Sequence, residues 1–203
     1  MDRSVFEAVN GLPDTFAPFF VFLSEATKRP AGIAILAVTF IGLVISKKSR
    51  RAALTAMLAW PFANAMTDVL KHTLQWPRPS WPDVLAQNPH YQVRVEPLTS
   101  FGTASAHSAN MMAIAVCFLF AFRPLGWVWL GIAVLTGISR VYVGVHWPSQ
   151  VLLGWTCGAF MAFVATKTVE AGISVRKSRI PEGPLEAESD QRSQESPIPD
   201  QQQ

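Results

Sequence analysis

Long apolar stretches separated by short polar segments dominate the chain from its N-terminus to about residue 168. A membrane-spanning helix needs about 20 mostly apolar residues, and runs of this kind recur along the chain. They lack the alternation of apolar and polar positions that strands of a membrane barrel show. The pattern predicts an all-α bundle of about six transmembrane helices, at residues 6–27, 30–46, 52–74, 105–122, 125–142 and 148–168.

The composition changes after residue 172. The last part of the chain is rich in Pro, Glu, Ser and Gln, and such a segment cannot bury enough apolar area to fold. The sequence therefore predicts a helical membrane domain at residues 1–172 and a disordered tail at residues 173–203. The first predicted helix is the weakest of the six, because it contains Pro18 and Glu25.

Composition and charge support a membrane protein. Apolar residues make up 50% of the chain and charged residues 15%, whereas soluble domains carry about a quarter charged residues. The basic residues form short clusters beside apolar runs, which indicates membrane orientation and argues against nucleic-acid binding. Cys117 and Cys157 lie inside apolar runs without metal-ligand spacing, so we expect two buried free thiols.

The basic residues also predict an orientation, because cytoplasmic loops are enriched in Lys and Arg. With six helices, most basic residues fall on one side, which we expect to be the cytoplasmic side of an inner membrane together with the tail. Lys28 and Arg29 fall on the opposite, periplasmic or extracellular side. The residues that set the orientation are Lys47, Lys48, Arg50, Arg51, Arg123, Arg176, Lys177 and Arg179.

Three polar clusters fall on the non-cytoplasmic side under this orientation. Ionisable residues next to hydrocarbon are costly and are functional candidates for that reason. Taken singly, each cluster could be a snorkelling anchor or an interfacial polar loop. Three cations converging on the outer surface contradict the usual charge bias and need another explanation. The clusters contain Lys71 and Arg78, Ser105 and His107, and Arg140 and His146.

These residue types suit a phosphate group. Arginine binds phosphate oxygens bidentately and lysine adds a point charge. Ser105 and His107 sit where a helix should begin, and a helix N-terminus offers free N–H groups to an anion. One histidine can attack phosphorus while the other protonates the departing oxygen.

In this order, the three clusters resemble the type 2 phosphatidic acid phosphatase superfamily of membrane lipid phosphatases. Its first motif, Lys, six residues, Arg-Pro, is matched by Lys71 and Arg78-Pro79. Its second, Pro-Ser-Gly-His, reads Ala-Ser-Ala-His at residues 104–107, so the serine and the histidine match. The resemblance covers residues 71–150 by motif and about 1–170 by helix layout.

The third motif, Ser-Arg, five residues, His, three residues, Asp, is matched by Ser139, Arg140 and His146, but Gln150 stands at the aspartate position. An aspartate would hold the imidazole and stabilise its charged form. A glutamine can accept a hydrogen bond, but it brings no charge, and a flipped amide would favour the other tautomer. In serine-protease triads the comparable change costs roughly 10⁴ in turnover, so we expect slow catalysis, lost catalysis, or help from Asp83 or Glu96.

The resemblance also implies roles for the matching residues. His146 would be the nucleophile and His107 the general acid, and neither a metal nor another cofactor would be needed. Gln150 would orient His146. The residues implied to bind phosphate are Lys71, Arg78, Ser105 and Arg140.

Local geometry adds two expectations. On an unbroken helix Arg140 and His146 would point about 240° apart, so the chain must bend between them, and Gly144 permits the bend. Asp68 lies one turn before Lys71, and we expect it to be a buried partner of that lysine.

The sequence therefore predicts a lipid phosphatase or diphosphatase that works through a phosphohistidine, with membrane lipids as its surroundings. Undecaprenyl diphosphate, phosphatidic acid and phosphatidylglycerol phosphate all fit as the lipid phosphate substrate. Two alternatives stay open. The phosphohistidine could pass its phosphoryl group to another lipid, or the protein could bind or transport a lipid phosphate without catalysis, which Gln150 favours.

Overall fold

A computed structural model describes residues 2–178, and every regular element within them is helical. This confirms the all-α prediction for that part of the chain. The helices are α1 (Asp2–Asn10), α2 (Ala17–Glu25), α3 (Pro30–Ile45), α4 (Arg50–Leu74), α5 (Pro82–Gln87), α6 (Ala106–Ala121), α7 (Arg123–Tyr142) and α8 (Pro148–Ser178), with 3₁₀ turns at Asp14–Phe16 and Ala26–Lys28.

The second to fifth predicted helices agree with α3, α4, α6 and α7 to within two residues at each end. The sixth was predicted too short. α8 continues to Ser178 because no proline interrupts the chain between Pro148 and Pro181. Residues 173–178, which we assigned to the tail, are therefore helical, and the remainder of the predicted tail, 179–203, lies outside the described residues.

The prediction of one helix at residues 6–27 was wrong. Two helices, α1 and α2, occupy this region, and Pro13 between them has extended backbone angles (φ −53°, ψ 145°). A second break follows α2, where Arg29 is extended (φ −95°, ψ 135°) immediately before Pro30. A residue that precedes proline is pushed out of the helical region. The segment Asp14–Lys28 and α3 meet at an angle of 72° as a result.

Among the described helices, α7 and the part of α8 up to Arg176 are long and apolar enough to cross a membrane. The bent pair Asp14–Lys28 and Pro30–Ile45 adds a third candidate, as a broken span or a re-entrant loop. α6 has 16 residues, fewer than the roughly 20 that a span needs, and α4 carries several charged residues. The count of six spans stays a prediction.

Small residues let the helices approach closely, as is common between membrane helices. Ala59 and Ala63 of α4 and Ala109 of α6 are fully buried in one core cluster. Gly158 of α8 lies directly against the backbone carbonyl of Ala109, where a Cβ atom would collide. Cys117 and Cys157 are buried free thiols, as predicted.

Large apolar side chains cover the outside of α3. Ile35, Val38 and Ile45 are 60%, 70% and 69% exposed. Contiguous exposed apolar surface on this scale marks contact with lipid or another protein, and on an apolar helix it is typical of a lipid-facing surface.

The turn between α7 and α8 contains the bend that we expected. Gly144 has a φ of 82°, a left-handed conformation that glycine adopts without strain. The backbone N–H groups of Val145 and His146 both donate to the carbonyl of Arg140, each at 3.2 Å. The chain thereby folds back on itself between Arg140 and His146.

The close contact between α6 and α8 is testable with a single methyl group. We expect Gly158→Ala to lower the melting temperature of the detergent-solubilised protein, because overpacking a tight contact costs about 1–3 kcal/mol. Gly131→Ala in α7 is the control, since nothing lies within 4 Å of a Cβ atom there. Equal melting temperatures for the two variants would contradict this packing.

Candidate active site

The three predicted polar clusters meet at one end of the bundle, within the compact unit Met1–Lys167. Arg78 Nη1 lies 2.7 Å from His146 Nε2, which joins the first cluster to the third. The backbone N–H of Ser105 donates to the Gln150 carbonyl at 3.0 Å, which joins the second cluster to the third. The ends of α4 and α7 and the starts of α6 and α8 are thus held together.

Arg78, in the loop after α4, is almost fully buried at 2% exposure. Its guanidinium donates to the carbonyls of Ser100 at 2.6 Å, Val145 at 3.0 Å and Phe101 at 3.0 Å. Burial, and then the charge of Arg140, lowers the pKa of Arg78 to about 10, so it stays charged at neutral pH. A guanidinium has no acceptor atom, so the contact with His146 requires a lone pair on Nε2.

His146 lies in the turn between α7 and α8 and is 3% exposed. Burial, followed by the positive charges of Arg78 and Arg140, holds the pKa of His146 well below its usual value near 6.5. The ring is therefore neutral and carries one proton. Because Nε2 faces a donor, that proton sits on Nδ1, which lies 3.1 Å from Gln150 Oε1.

The orientation of the Gln150 amide is determined by the backbone on both sides. Its Oε1 accepts the N–H of Trp147 at 3.2 Å, and its Nε2 donates to the carbonyl of Pro77 at 2.9 Å. A backbone N–H cannot accept and a carbonyl cannot donate, so the amide cannot flip without losing both bonds. Gln150 therefore presents an oxygen to His146, and the flipped arrangement that would favour the other tautomer is disfavoured.

Gly102 leaves the space that this amide occupies. A Cβ atom at position 102 would lie 2.6 Å from Gln150 Oε1 and 2.7 Å from Arg78 Cγ. Among the described residues, neither Asp83 nor Glu96 makes a hydrogen bond to His146. The contact to its Nδ1 comes from the uncharged Gln150.

The second cluster begins α6. Ser105 is fully buried, and its hydroxyl caps the helix by accepting from the N–H of Ser108 at 3.4 Å and from its hydroxyl at 2.9 Å. This cap uses the hydroxyl that we expected to bind phosphate. His107 is half-buried, and its Nε2 lies 3.0 Å from the hydroxyl of Thr27.

Arg140 and Lys71 each contact polar partners. The partners of Arg140 lie far away in the sequence, and the partner of Lys71 lies one helical turn before it. Arg140 is 1% exposed; its Nη1 donates to the Ser24 hydroxyl at 2.5 Å and lies 3.9 Å from Glu25 Oε1. Its Nε is buried and has no hydrogen-bond partner among the described residues. Lys71 Nζ lies 2.8 Å from Asp68 Oδ1, which confirms the pair, but the Asp68 side chain is 49% exposed and so is not the buried partner that we expected.

Contacts between side chains link the clusters: Arg78 contacts His146, and the segment that contains Thr27 contacts both His107 and Arg140. The charges of Arg140, Lys28, Lys71 and Arg78 all act on His107. The site thus combines two histidines with four cations at the end of the bundle. Among the described residues, no group of three or more His, Cys, Asp or Glu side chains forms a metal-binding cluster.

Sequence reasoning missed the contribution of the N-terminal segment. Ser24, Glu25 and Thr27 contact Arg140 or His107, and Lys28 Nζ lies 3.1 Å from Glu25 Oε1. Two features of the sequence pointed to it: Glu25 interrupts an apolar stretch, and Lys28 contradicts the charge bias that orients the other basic residues.

The chain matches the PAP2 superfamily over residues 51–173. It belongs to that superfamily. The matched region contains every residue of the three motifs, whereas the PAP2 match leaves out α1, α2 and α3 together with the segment that contacts Arg140 and His107.

Two undecaprenyl-diphosphatases are similar to this chain. The undecaprenyl-diphosphatase of Sulfolobus acidocaldarius is 32% identical over 160 residues, which are 78% of this chain and 73% of the relative. The undecaprenyl-diphosphatase BcrC of Bacillus subtilis is 27% identical over 155 residues, 75% of this chain and 76% of the relative. Together with the apolar helices, these similarities identify a membrane protein.

Two solved structures share the fold. LpxE of Aquifex aeolicus superposes with a TM-score of 0.66 at 20% identity, over 81% of this chain and 93% of that chain. The PAP2-type phosphatidylglycerolphosphate phosphatase of Bacillus subtilis superposes with a TM-score of 0.61 at 23% identity, over 84% of this chain and 85% of that chain.

The neutral state of His146 predicts a pH dependence of stability. Its pKa in the folded protein lies below the unfolded value of about 6.5. The unfolded chain therefore takes up the proton first as the pH falls. The contribution of neutral His146 to the free energy of unfolding is therefore present above the unfolded pKa and is lost as the pH falls below it. Between pH 7.5 and 5.5 this loss is about 1.4 kcal/mol. We expect His146→Gln to reduce the fall in melting temperature over this interval. An identical fall in both proteins would show that the imidazole is not held neutral.

The Gln150 contacts predict a cost for removing the amide. Gln150→Leu leaves the Trp147 N–H, the Pro77 carbonyl and His146 Nδ1 without this partner, and each unsatisfied buried group costs about 1–3 kcal/mol. We expect a melting temperature several degrees lower, measured in detergent. The exposed Gln87 supplies the control, Gln87→Leu, which should change it little. A Gln150→Leu protein as stable as the wild type would contradict the proposed amide orientation.

Proposed function

We propose that this protein is a lipid diphosphatase that removes the terminal phosphate of a polyprenyl diphosphate such as undecaprenyl diphosphate. The observation that carries the proposal is a neutral His146 whose Nε2 faces a buried guanidinium while Gln150 holds Nδ1. This is the protonation state that a histidine nucleophile needs. The two undecaprenyl-diphosphatase relatives support the choice of substrate.

In the proposed mechanism, the terminal phosphate enters beside Arg78 and replaces His146 as a partner of its Nη1. The unpaired Nε of Arg140 supplies a further donor, and Lys71 adds positive charge. Arginines and lysines in this arrangement stabilise the charge that develops on the phosphoryl oxygens.

Nε2 of His146 then attacks phosphorus, and the bond from phosphorus to the bridging oxygen breaks. His107, which takes up a proton once the bound diphosphate offsets the surrounding positive charges, donates it to that oxygen, and the lipid monophosphate departs. Water next attacks the phosphohistidine, giving its proton to His107, and inorganic phosphate leaves. Gln150 keeps the imidazole in one tautomer throughout without supplying a charge.

An apolar cavity beside His107 supports a lipid substrate. Its volume is about 300 Å³, and it lies between α3 and α7 with α6 at its base. A cavity of this size holds part of a long isoprenoid chain, and the rest would extend into the bilayer. Its apolar lining includes Leu36, Leu43, Met111, Leu125, Trp129 and Ile132.

The proposal includes the location that the basic residues predict. The active site faces the periplasmic or extracellular side of the inner membrane, and the C-terminal tail lies in the cytoplasm. The proposed phosphate donors, Arg78, Arg140 and Lys71, are side chains of the protein itself, so we propose that catalysis requires no metal.

Phosphate release in a chelator tests this function. We expect the purified protein in EDTA to release phosphate from undecaprenyl diphosphate faster than from phosphatidic acid or phosphatidylglycerol phosphate. His146→Ala should reduce the rate at least about 10³-fold, because it removes the nucleophile. Lys48→Ala, in the loop between α3 and α4, is the control and should leave the rate unchanged.

A substrate labelled in its terminal phosphate separates the alternatives. Label that is bound to the protein, stable in base and lost in acid would identify the phosphohistidine. Transfer of label to an added lipid acceptor would instead indicate a phosphotransferase. Tight lipid binding with no phosphate release by either the wild type or His146→Ala would refute catalysis and favour a binding or transport protein.

A further inference from the structure

We propose that Thr27 and Lys28 form a subsite for the leaving phosphate of a diphosphate substrate, so that the N-terminal segment selects diphosphates over monophosphates. This inference rests on the proposed function and names the part of the chain that determines its substrate class. The segment lies outside residues 51–173, the region that matches the PAP2 superfamily, so the shared motifs do not account for it.

The first argument is the position of Thr27. Its hydroxyl lies 3.0 Å from His107 Nε2. In the proposed mechanism, His107 protonates the oxygen that bridges the two phosphates. A departing oxygen that takes its proton from Nε2 of His107 lies within reach of the Thr27 hydroxyl when the bond from phosphorus to that oxygen breaks.

The second argument is the path of the lipid. Ala26, Thr27 and His107 line the same apolar cavity as residues of α3 and α7. In the proposed pose, the terminal phosphorus lies at His146 and the lipid chain lies in this cavity. The part of the substrate between them passes His107 and Thr27. The phosphate attached to the lipid then falls next to these two residues.

The third argument is charge. Hydrolysis of phosphatidic acid releases a neutral alcohol, which needs only a proton. Hydrolysis of a diphosphate releases a lipid monophosphate, an anion that a lysine stabilises through a charge-assisted hydrogen bond. Lys28 is the cation next in sequence to Thr27, and its charge acts on His107.

Glu25 pairs with this cation beside the pocket. Its carboxylate lies 3.1 Å from Lys28 Nζ and 3.9 Å from Arg140 Nη1. The Lys28 side chain is 41% exposed, so it has room to turn from Glu25 to an incoming phosphate. A role in anion binding also accounts for a basic residue on the side of the membrane where the charge bias disfavours it.

The test compares two substrates with the same chain, farnesyl diphosphate and farnesyl monophosphate, using the full-length protein in detergent. We expect Lys28→Gln to lower kcat/KM for the diphosphate roughly 10- to 100-fold, the range of a hydrogen bond to a charged group. For the monophosphate the change should stay below about threefold. Thr27→Val should shift the ratio of the two values in the same direction by a smaller factor.

Three further variants separate the charge of Lys28 from the effects of its neighbours. Glu25→Gln breaks the ion pair with Lys28 but keeps the lysine, so it should preserve the preference for diphosphate. Arg29→Gln removes the neighbouring exposed cation and should leave the ratio unchanged. Lys28→Arg keeps the charge and should retain most of the preference.

The outcomes distinguish this subsite from the proposed function. A wild type that hydrolyses both substrates, with equal losses or no loss in Lys28→Gln, would overturn the subsite alone. A wild type that releases phosphate from neither substrate would overturn the proposed function and the subsite with it.

Discussion

The side-chain amide of Gln150 connects the loop that carries Arg78 to the turn that carries His146. It donates to the carbonyl of Pro77 and accepts from the backbone of Trp147, and the same oxygen faces His146 Nδ1. Because both backbone partners have a fixed polarity, the amide sets the tautomer of the imidazole. The lone pair on Nε2 and the guanidinium of Arg78 are consequently directed at each other. An acidic residue at this position would add charge but would lack the donor that holds the Pro77 carbonyl.

The remainder of the site balances buried positive charge. Arg78 is surrounded by carbonyl oxygens, Arg140 is held by Ser24 and lies near Glu25, and Lys71 pairs with Asp68. Charges out of water are costly unless they are paired and hydrogen-bonded. These partners stabilise the cations, and the Nε of Arg140, which has no hydrogen-bond partner among the described residues, leaves a donor for an anion.

The sequence predicted where helices occur more reliably than where each helix breaks or ends. α3, α4, α6 and α7 were predicted closely because their apolar runs are bounded by polar residues or prolines. The first predicted helix failed because its apolar composition hid the break at Pro13, whereas the boundary before Pro30 was predicted correctly. α8 was predicted too short because its helix extends beyond the apolar run, and hydropathy alone does not report where a backbone stops being helical.

The sequence by itself determined which chemical groups are available and how neighbours along the chain are arranged. The pair of Lys71 with Asp68, the bend at Gly144 and the contact of His146 with Gln150 all follow from spacings of a few residues, where helix periodicity and glycine geometry decide. Only the tertiary structure decided how Gln150 is oriented, because its partner Pro77 lies 73 positions away. It alone brought Thr27 to His107 across 80 positions and Ser24 to Arg140 across 116. Such contacts depend on how the helices pack. The pattern of apolar and polar residues in one segment does not show which distant segment will contact it.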